Sequence, residues 1–176
     1  MSLIYFSTKI SKIGSTPIIH LPKNASAQLP SRGIVMVKGT INNFPFQSEL
    51  EPDGKGSHWF KIDKALLDGV HPGVGDIVEL SLESTKDWPE PQVPEDIKKT
   101  ITADAKAFAL WEKITPMARW DWIRWIGSTK NPDTYKNHIV VAISKLKKGE
   151  RRPCCFNRSM CCDPSVSKNG ILLEEN

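Results

Sequence analysis

Apolar residues alternate with polar ones over the first half of the chain and recur every three or four positions over most of the second. Leu3 to Ile10 alternates as a strand, with Ile4, Phe6 and Ile10 on one face and Tyr5 on the other. Ile18-Ile19-His20-Leu21-Pro22 predicts a further strand, Lys23 to Leu29 a short helix, Pro30-Ser31-Arg32-Gly33 a turn, and Ile34 to Val37 a returning strand. The same layout comes back between His58 and Leu82. Trp59 to Ile62 reads as strand, Lys64 to Leu67 as helix, Pro72, Gly73 and Gly75 as punctuation, and Ile77, Val78, Leu80 and Leu82 as strand. Leu21 falls on Ile62, and Ile34 falls on Ile77 once the second turn is given two extra residues. Neither unit can bury its apolar face alone, so the pattern predicts one small barrel with an approximate two-fold axis. Between the units, Asn42-Asn43 suits a tight hairpin turn, and Phe44, Phe46, Ser48 and Leu50 then share a face. Trp59, Phe60, Phe44 and Phe46 are assigned to the barrel core.

Asp-Trp-Pro-Glu-Pro-Gln-Val-Pro, from Asp87 to Pro94, cannot join a central strand and reads as an extended linker. Beyond it the spacing is helical. Pro94 to Thr102 aligns Ile97 with Ile101, Asp104 can cap a helix facing Phe108, Trp111 and Ile114 inward, and Thr115-Pro116 opens a helix to Ile126. Asn131-Pro132 repeats that device before a stripe of Tyr135, Ile139, Ala142, Ile143 and Leu146, which Gly149 ends.

Several of these residues together resemble a known pair of domains. Leu21-Pro22, Val37 to Asn42, Phe44-Pro45-Phe46 and Gly75-Asp76-Ile77-Val78 resemble the domain-of-unknown-function family that precedes the bacteriocin-protection, YdeI or OmpD-associated (OmdA-type) domain. Val93 to Asp96, Trp111, Thr115-Pro116, Arg124-Trp125-Ile126, Lys130, Pro132, Thr134, Leu146 and Gly149 resemble that second domain. The resemblance implies an α+β protein: a small double-split β-barrel of the AbrB-like and MazE-like swapped-hairpin class, with a C-terminal helical extension. The expected division is a barrel domain over 1–92, a helical YdeI/OmpD-associated-like domain over 93–150, and a cysteine-containing tail over 151–176. It implies no enzyme activity and points to a binding module for protection against bacteriocins or stress. Where the family places arginines after the threonine matching Thr134, this chain has Tyr135, Lys136 and His138, which predicts a weaker anion site.

Composition changes this picture little. The net charge is +4, the hydrophobic share 39% and the charged share 25%, ordinary for a globular protein. No apolar run approaches the roughly 18 residues of a membrane-spanning helix, and the opening Met1 to Ser7 lacks the pattern of a secretion signal. A cytoplasmic protein is the expectation. Two units carried in one chain make a monomer the expected state.

Three features could carry function. Basic residues exceed acidic ones after Arg119, and Arg124, Lys130, Lys136, Lys147, Lys148, Arg151 and Arg152 could hold the phosphates of a nucleic acid or another polyanion. The alternative is a solvated helix face. Trp111, Trp120, Trp122 and Trp125 crowd the helical half; Trp122 is expected in its core, while Trp120 and Trp125 point elsewhere and could pack, line a cleft or stack on a base. Cys154, Cys155, Cys161 and Cys162 form two vicinal pairs that could bind zinc or copper or act as reactive thiols. Adjacent cysteines do not easily reach one tetrahedral ion, which favours a tail without cofactor. No nucleophile elbow, phosphate loop or histidine spacing announces a catalytic residue.

Overall fold

A computed structural model describes residues 2–153 and 156–176. The chain divides into two units, one comprising 1–87, 158–161 and 166–176, the other 88–157 and 162–165.

In the first unit the strands are β1 (Ile4–Lys9), β2 (Ser11–Ile13), β3 (Thr16–His20), β4 (Val35–Ile41), β5 (Phe44–Pro52), β6 (His58–Lys61) and β7 (Ile77–Ser84). Two short helices accompany them, α1 (Lys23–Ser26) and α2 (Lys64–Val70). All pairings are antiparallel, in the order β1-β7-β4-β5-β6-β3-β2. The two ends of that order are one stretch of chain, because only Ile10 separates β1 from β2. Ile10 is pinned by both of its backbone groups, its N–H donating to the Asp76 carbonyl and its carbonyl accepting from Gly75 N–H. The sheet therefore curls back on itself, giving an α+β, barrel-like fold.

The pairing register carries the internal symmetry that the hydrophobic pattern predicts. The shift that takes Leu21 onto Ile62 takes Ile19 onto Phe60, which is its own partner across β3 and β6. The shift that takes Ile34 onto Ile77 takes Gly39 onto Leu82, again its own partner across β4 and β7. Both pairs lie on the pseudo-two-fold axis. The halves are intertwined: β1 pairs with β7 of the second half, and β5 pairs with β4 of the first. Asn42 and Asn43, at φ 46° and 67°, make the tight turn between β4 and β5. Inside lie Ile4, Ile10, Ile19, Leu21, Val37, Leu50, Phe60, Ile62, Leu80 and Leu82, with Phe44 and Phe46 at the margin and Phe46 stacked on Phe60.

The structure corrects one core assignment. Trp59 is fully buried but outside the barrel, in a separate cluster with Ile13, Ile18, Cys161, Val166 and Leu172. Successive strand residues face opposite ways, so with Phe60 inside, Trp59 must point out. It is covered there by residues 166–176, which form the hairpin β8 (Ser167–Lys168) and β9 (Ile171–Leu172).

In the second unit, α3 (Glu95–Ala103), α4 (Ala105–Lys113), α5 (Pro116–Ile126) and α6 (Pro132–Lys147) surround Ile97, Ile101, Ala107, Trp111, Ile114, Trp122, Ile126, Ile139, Ala142 and Leu146. The predicted starts are made by side-chain caps. Asp104 accepts from Lys106 and Ala107 N–H, Thr115 from Ala118 N–H, and Asn131 from Asp133 and Thr134 N–H.

Candidate functional site

Arg119 organises the second unit. Its guanidinium donates to the Trp111 and Ile114 carbonyls at 2.8 and 2.7 Å, satisfying acceptors at the end of α4 that have no helical partner. Nε and the other nitrogen grip the two oxygens of Glu90 at 3.0 and 2.5 Å. The proline-rich linker is thus held on α5. Trp120 Nε1 adds a bond to the Pro89 carbonyl at 2.8 Å, Trp88 meets the Trp120 ring edge to face, and the Arg124 guanidinium lies 5.8 and 5.4 Å from the Trp88 and Trp120 ring centroids.

This anchoring leaves an open cleft of about 430 Å³ lined by Val93, Ile101, Phe108 and Trp111, with Glu90, Lys98, Glu112 and Arg119 among its polar residues. Glu90, Pro91 and Val93 of the linker line one part of it, and Arg119 fixes Glu90 there. Arg119 is committed to protein acceptors, whereas Lys98 is exposed. Val93, Ile101, Phe108 and Trp111 give it apolar walls, and the charged side chains of Glu90, Lys98, Glu112 and Arg119 stand among them. Nearby, the Tyr135 hydroxyl donates to Asp96, and burial, then the Asp96 charge, push its pKa up to about 12.

The predicted tryptophans divide as follows. Trp122 is core and donates to the Arg151 carbonyl at 3.0 Å; Trp125 stacks on His138 at 4.3 Å; Trp120 packs on the linker. Of the predicted cations, Lys130, Lys136, Lys148, Arg151 and Arg152 are exposed. Lys147 pairs with Asp104 at 3.4 Å, and Arg124 is drawn into the Trp88 and Trp120 rings. The Asp104 carboxyl is held below its usual value, chiefly by the Ala107 N–H and also by Lys147. Of the cysteines, Cys161 is buried in the first unit and Cys162 lies in the second, its thiol 3.8 Å from the Arg124 carbonyl. Cys154 and Cys155 lie outside the described residues. Among the described residues, no three His, Cys, Asp or Glu side chains are grouped to hold a metal.

Two histidine sites in the first unit escaped the sequence reading. His58 is fully buried, and its Nε2 donates to the Gly33 carbonyl at 2.8 Å, so Nδ1 accepts from the Ser26 hydroxyl at 2.6 Å. Arg32 donates to the same hydroxyl at 3.2 Å. Burial lowers the His58 pKa, and the Arg32 charge adds to the effect. This Ser-His pair is enclosed within the first unit. The second site joins His20, Asp53 and Glu175, around a pocket of about 330 Å³ that Lys55 and Leu172 to Glu174 also line. Neither arrangement has a sequence signal, since the partners stand far apart along the chain.

A curled antiparallel barrel-like unit and a four-helix unit make up an α+β protein of two units. Residues 6–82 match the family described as Domain of unknown function (DUF1905), and residues 90–149 match Bacteriocin-protection, YdeI or OmpD-Associated. The two matches follow one another in the order that the chain's motifs imply. No curated protein matches it.

Proposed function

We propose that the chain is a non-catalytic binding module associated with bacteriocin protection, and that the cleft beside Arg119 takes its ligand. The observation that carries this reading is the cleft of about 430 Å³ within the helical unit, lined by both apolar and charged side chains, which falls in the segment matching the bacteriocin-protection family. Bacteriocins are peptides, and a groove with Val93, Phe108 and Trp111 beside Lys98 and Glu112 fits an apolar side chain with a charged neighbour. The test is survival of bacterial cells expressing the chain under bacteriocin challenge, with Phe108→Ser as the cleft variant and circular dichroism as the fold control. Survival above empty vector, lost in folded Phe108→Ser, is expected; survival equal to empty vector overturns the reading. Incubating purified protein with the bacteriocin and weighing the peptide by mass spectrometry tests the non-catalytic part. An unchanged mass is expected, and a cleaved or modified peptide would replace it with an enzyme.

A polyanion reading has its own support in the exposure of Lys130, Lys136, Lys148, Arg151 and Arg152. Nucleic-acid affinity falling steeply with salt would favour it over the cleft, and salt-independent or absent binding would remove it. The intertwined halves support a monomer, for which light scattering should return 19.7 kDa.

A further inference from the structure

His20 stands at the end of β3 between two carboxylates. Its Nε2 meets Asp53 Oδ2 at 2.7 Å, and its Nδ1 meets Glu175 Oε1. Asp53 is buried at the end of β5, where its other oxygen accepts from Lys55 and Ser57 N–H at 2.7 and 2.9 Å. Glu175 comes from the segment that covers Trp59.

Residues 158–161 and 166–176 are built into the unit as a strap. Arg158 accepts from Ile34 N–H at 3.0 Å, Leu172 donates to the Asp53 carbonyl at 2.9 Å, and Asn176 donates to the Lys12 carbonyl at 2.8 Å. It passes so near the barrel that a β-carbon at Gly33 would lie 2.7 Å from the Arg158 carbonyl oxygen, and one at Gly54 2.7 Å from that of Gly170. Yet the cover is imperfect. The Trp59 indole N–H is buried beneath it with no hydrogen-bond partner among the described residues, a cost that opening to water would relieve.

We propose that His20 is a proton-operated latch for the end of this strap, closed when the imidazole carries two protons and released when it carries one. An imidazolium donates from both ring nitrogens and so serves Asp53 and Glu175 together. A neutral ring keeps one N–H and must leave one carboxylate without a donor. The buried Asp53 retains it, because an unpaired charge there is costly, while the Glu175 side chain, 31% exposed, turns to water. The charges around the ring are Asp53 just past β5, Lys55 in the following turn, and Glu174 and Glu175 on the strap; Lys12 and Lys61 lie on the flanking strands β2 and β6, and Asp53 also acts on His58. The sign follows directly. Strap closure is favoured where the ring carries two protons and is lost as rising pH removes one of them.

Amide hydrogen exchange on the full chain tests the latch, with rates corrected for intrinsic base catalysis. Between about pH 5 and about pH 8, where imidazoles titrate, the Asn176 and Leu173 amides should lose roughly tenfold in protection, the scale of one charge-assisted hydrogen bond. Ile19 and Phe60, in the paired strands, should keep theirs. Glu175→Gln leaves the barrel charges intact and should show low strap protection without the pH step, whereas Glu174→Gln should keep the step. Protection independent of pH in the wild type, or a step that survives in Glu175→Gln, overturns the proposal.

Discussion

Gly39 faces Leu82 across β4 and β7 on the pseudo-two-fold axis, and a β-carbon on Gly39 would fall 1.8 Å from the carbonyl oxygen of Ser81. No side-chain rearrangement can relieve that contact, because the obstruction is backbone. Gly39→Ala must therefore part the two strands that join the halves. The expected loss is at least about 2 kcal/mol of unfolding free energy, read from the denaturant midpoint. An unchanged midpoint would mean that the strands are not so closely apposed.

Arg119 is mostly buried, and lysine cannot reproduce its forked contacts to Trp111, Ile114 and Glu90 at once. Arg119→Lys should cost about 2 kcal/mol, mainly through the carbonyls left without donors. Glu90→Gln should cost much less, since Glu90 is 63% exposed and its charge is screened. Thermal unfolding of both variants checks the order, and an equal loss in the two would place the stabilisation in the ion pair.

Burial holds His58 below the usual imidazole value of 6.5, so in the unfolded chain this group binds a proton more readily than in the folded one. Stability from keeping it neutral is fully present above pH 6.5 and is lost as pH falls toward the folded value. The slope of unfolding free energy below pH 6.5 should gain up to about 1.4 kcal/mol per pH unit from this one proton. His58→Gln should be less stable at alkaline pH but lack that acid slope. Asp53 acts in a lower window. Burial alone would raise its pKa, but the Ser57 and Lys55 N–H groups and His20 outweigh it, so its contribution is lost only as pH falls below 3.8.

These cases show what the sequence could reveal. The two-fold layout was legible because Leu21 and Ile62, or Ile34 and Ile77, occupy equal places in short repeating patterns that pairing then obeys. The helix starts were legible because capping at Asp104, Thr115 and Asn131 is local chemistry. Trp59 was misplaced because its cover arrives about a hundred residues later, from a segment with neither helical nor strand period. The cleft was invisible for a similar reason. Its lining includes Arg119 and Glu90, which pair across 29 residues, and neither residue announces its partner.

The cysteines give a last expectation that separates two adjacent thiols. Cys161 is 4% exposed, packed with Trp59, Val166 and Leu172, and its sulfur lies 3.8 Å from the Glu51 carboxylate. Burial keeps a reagent from reaching that sulfur while the segment stays packed. Cys162 is partly exposed beside the Arg124 carbonyl. In a Cys154→Ser, Cys155→Ser background, a thiol reagent should label Cys162 quickly and Cys161 roughly a hundredfold more slowly, since labelling the latter requires local opening. Denaturant should merge the two phases. Two fast thiols in the folded protein would show that residues 158–161 do not stay packed, and would reopen a joint role for these cysteines in binding zinc or copper.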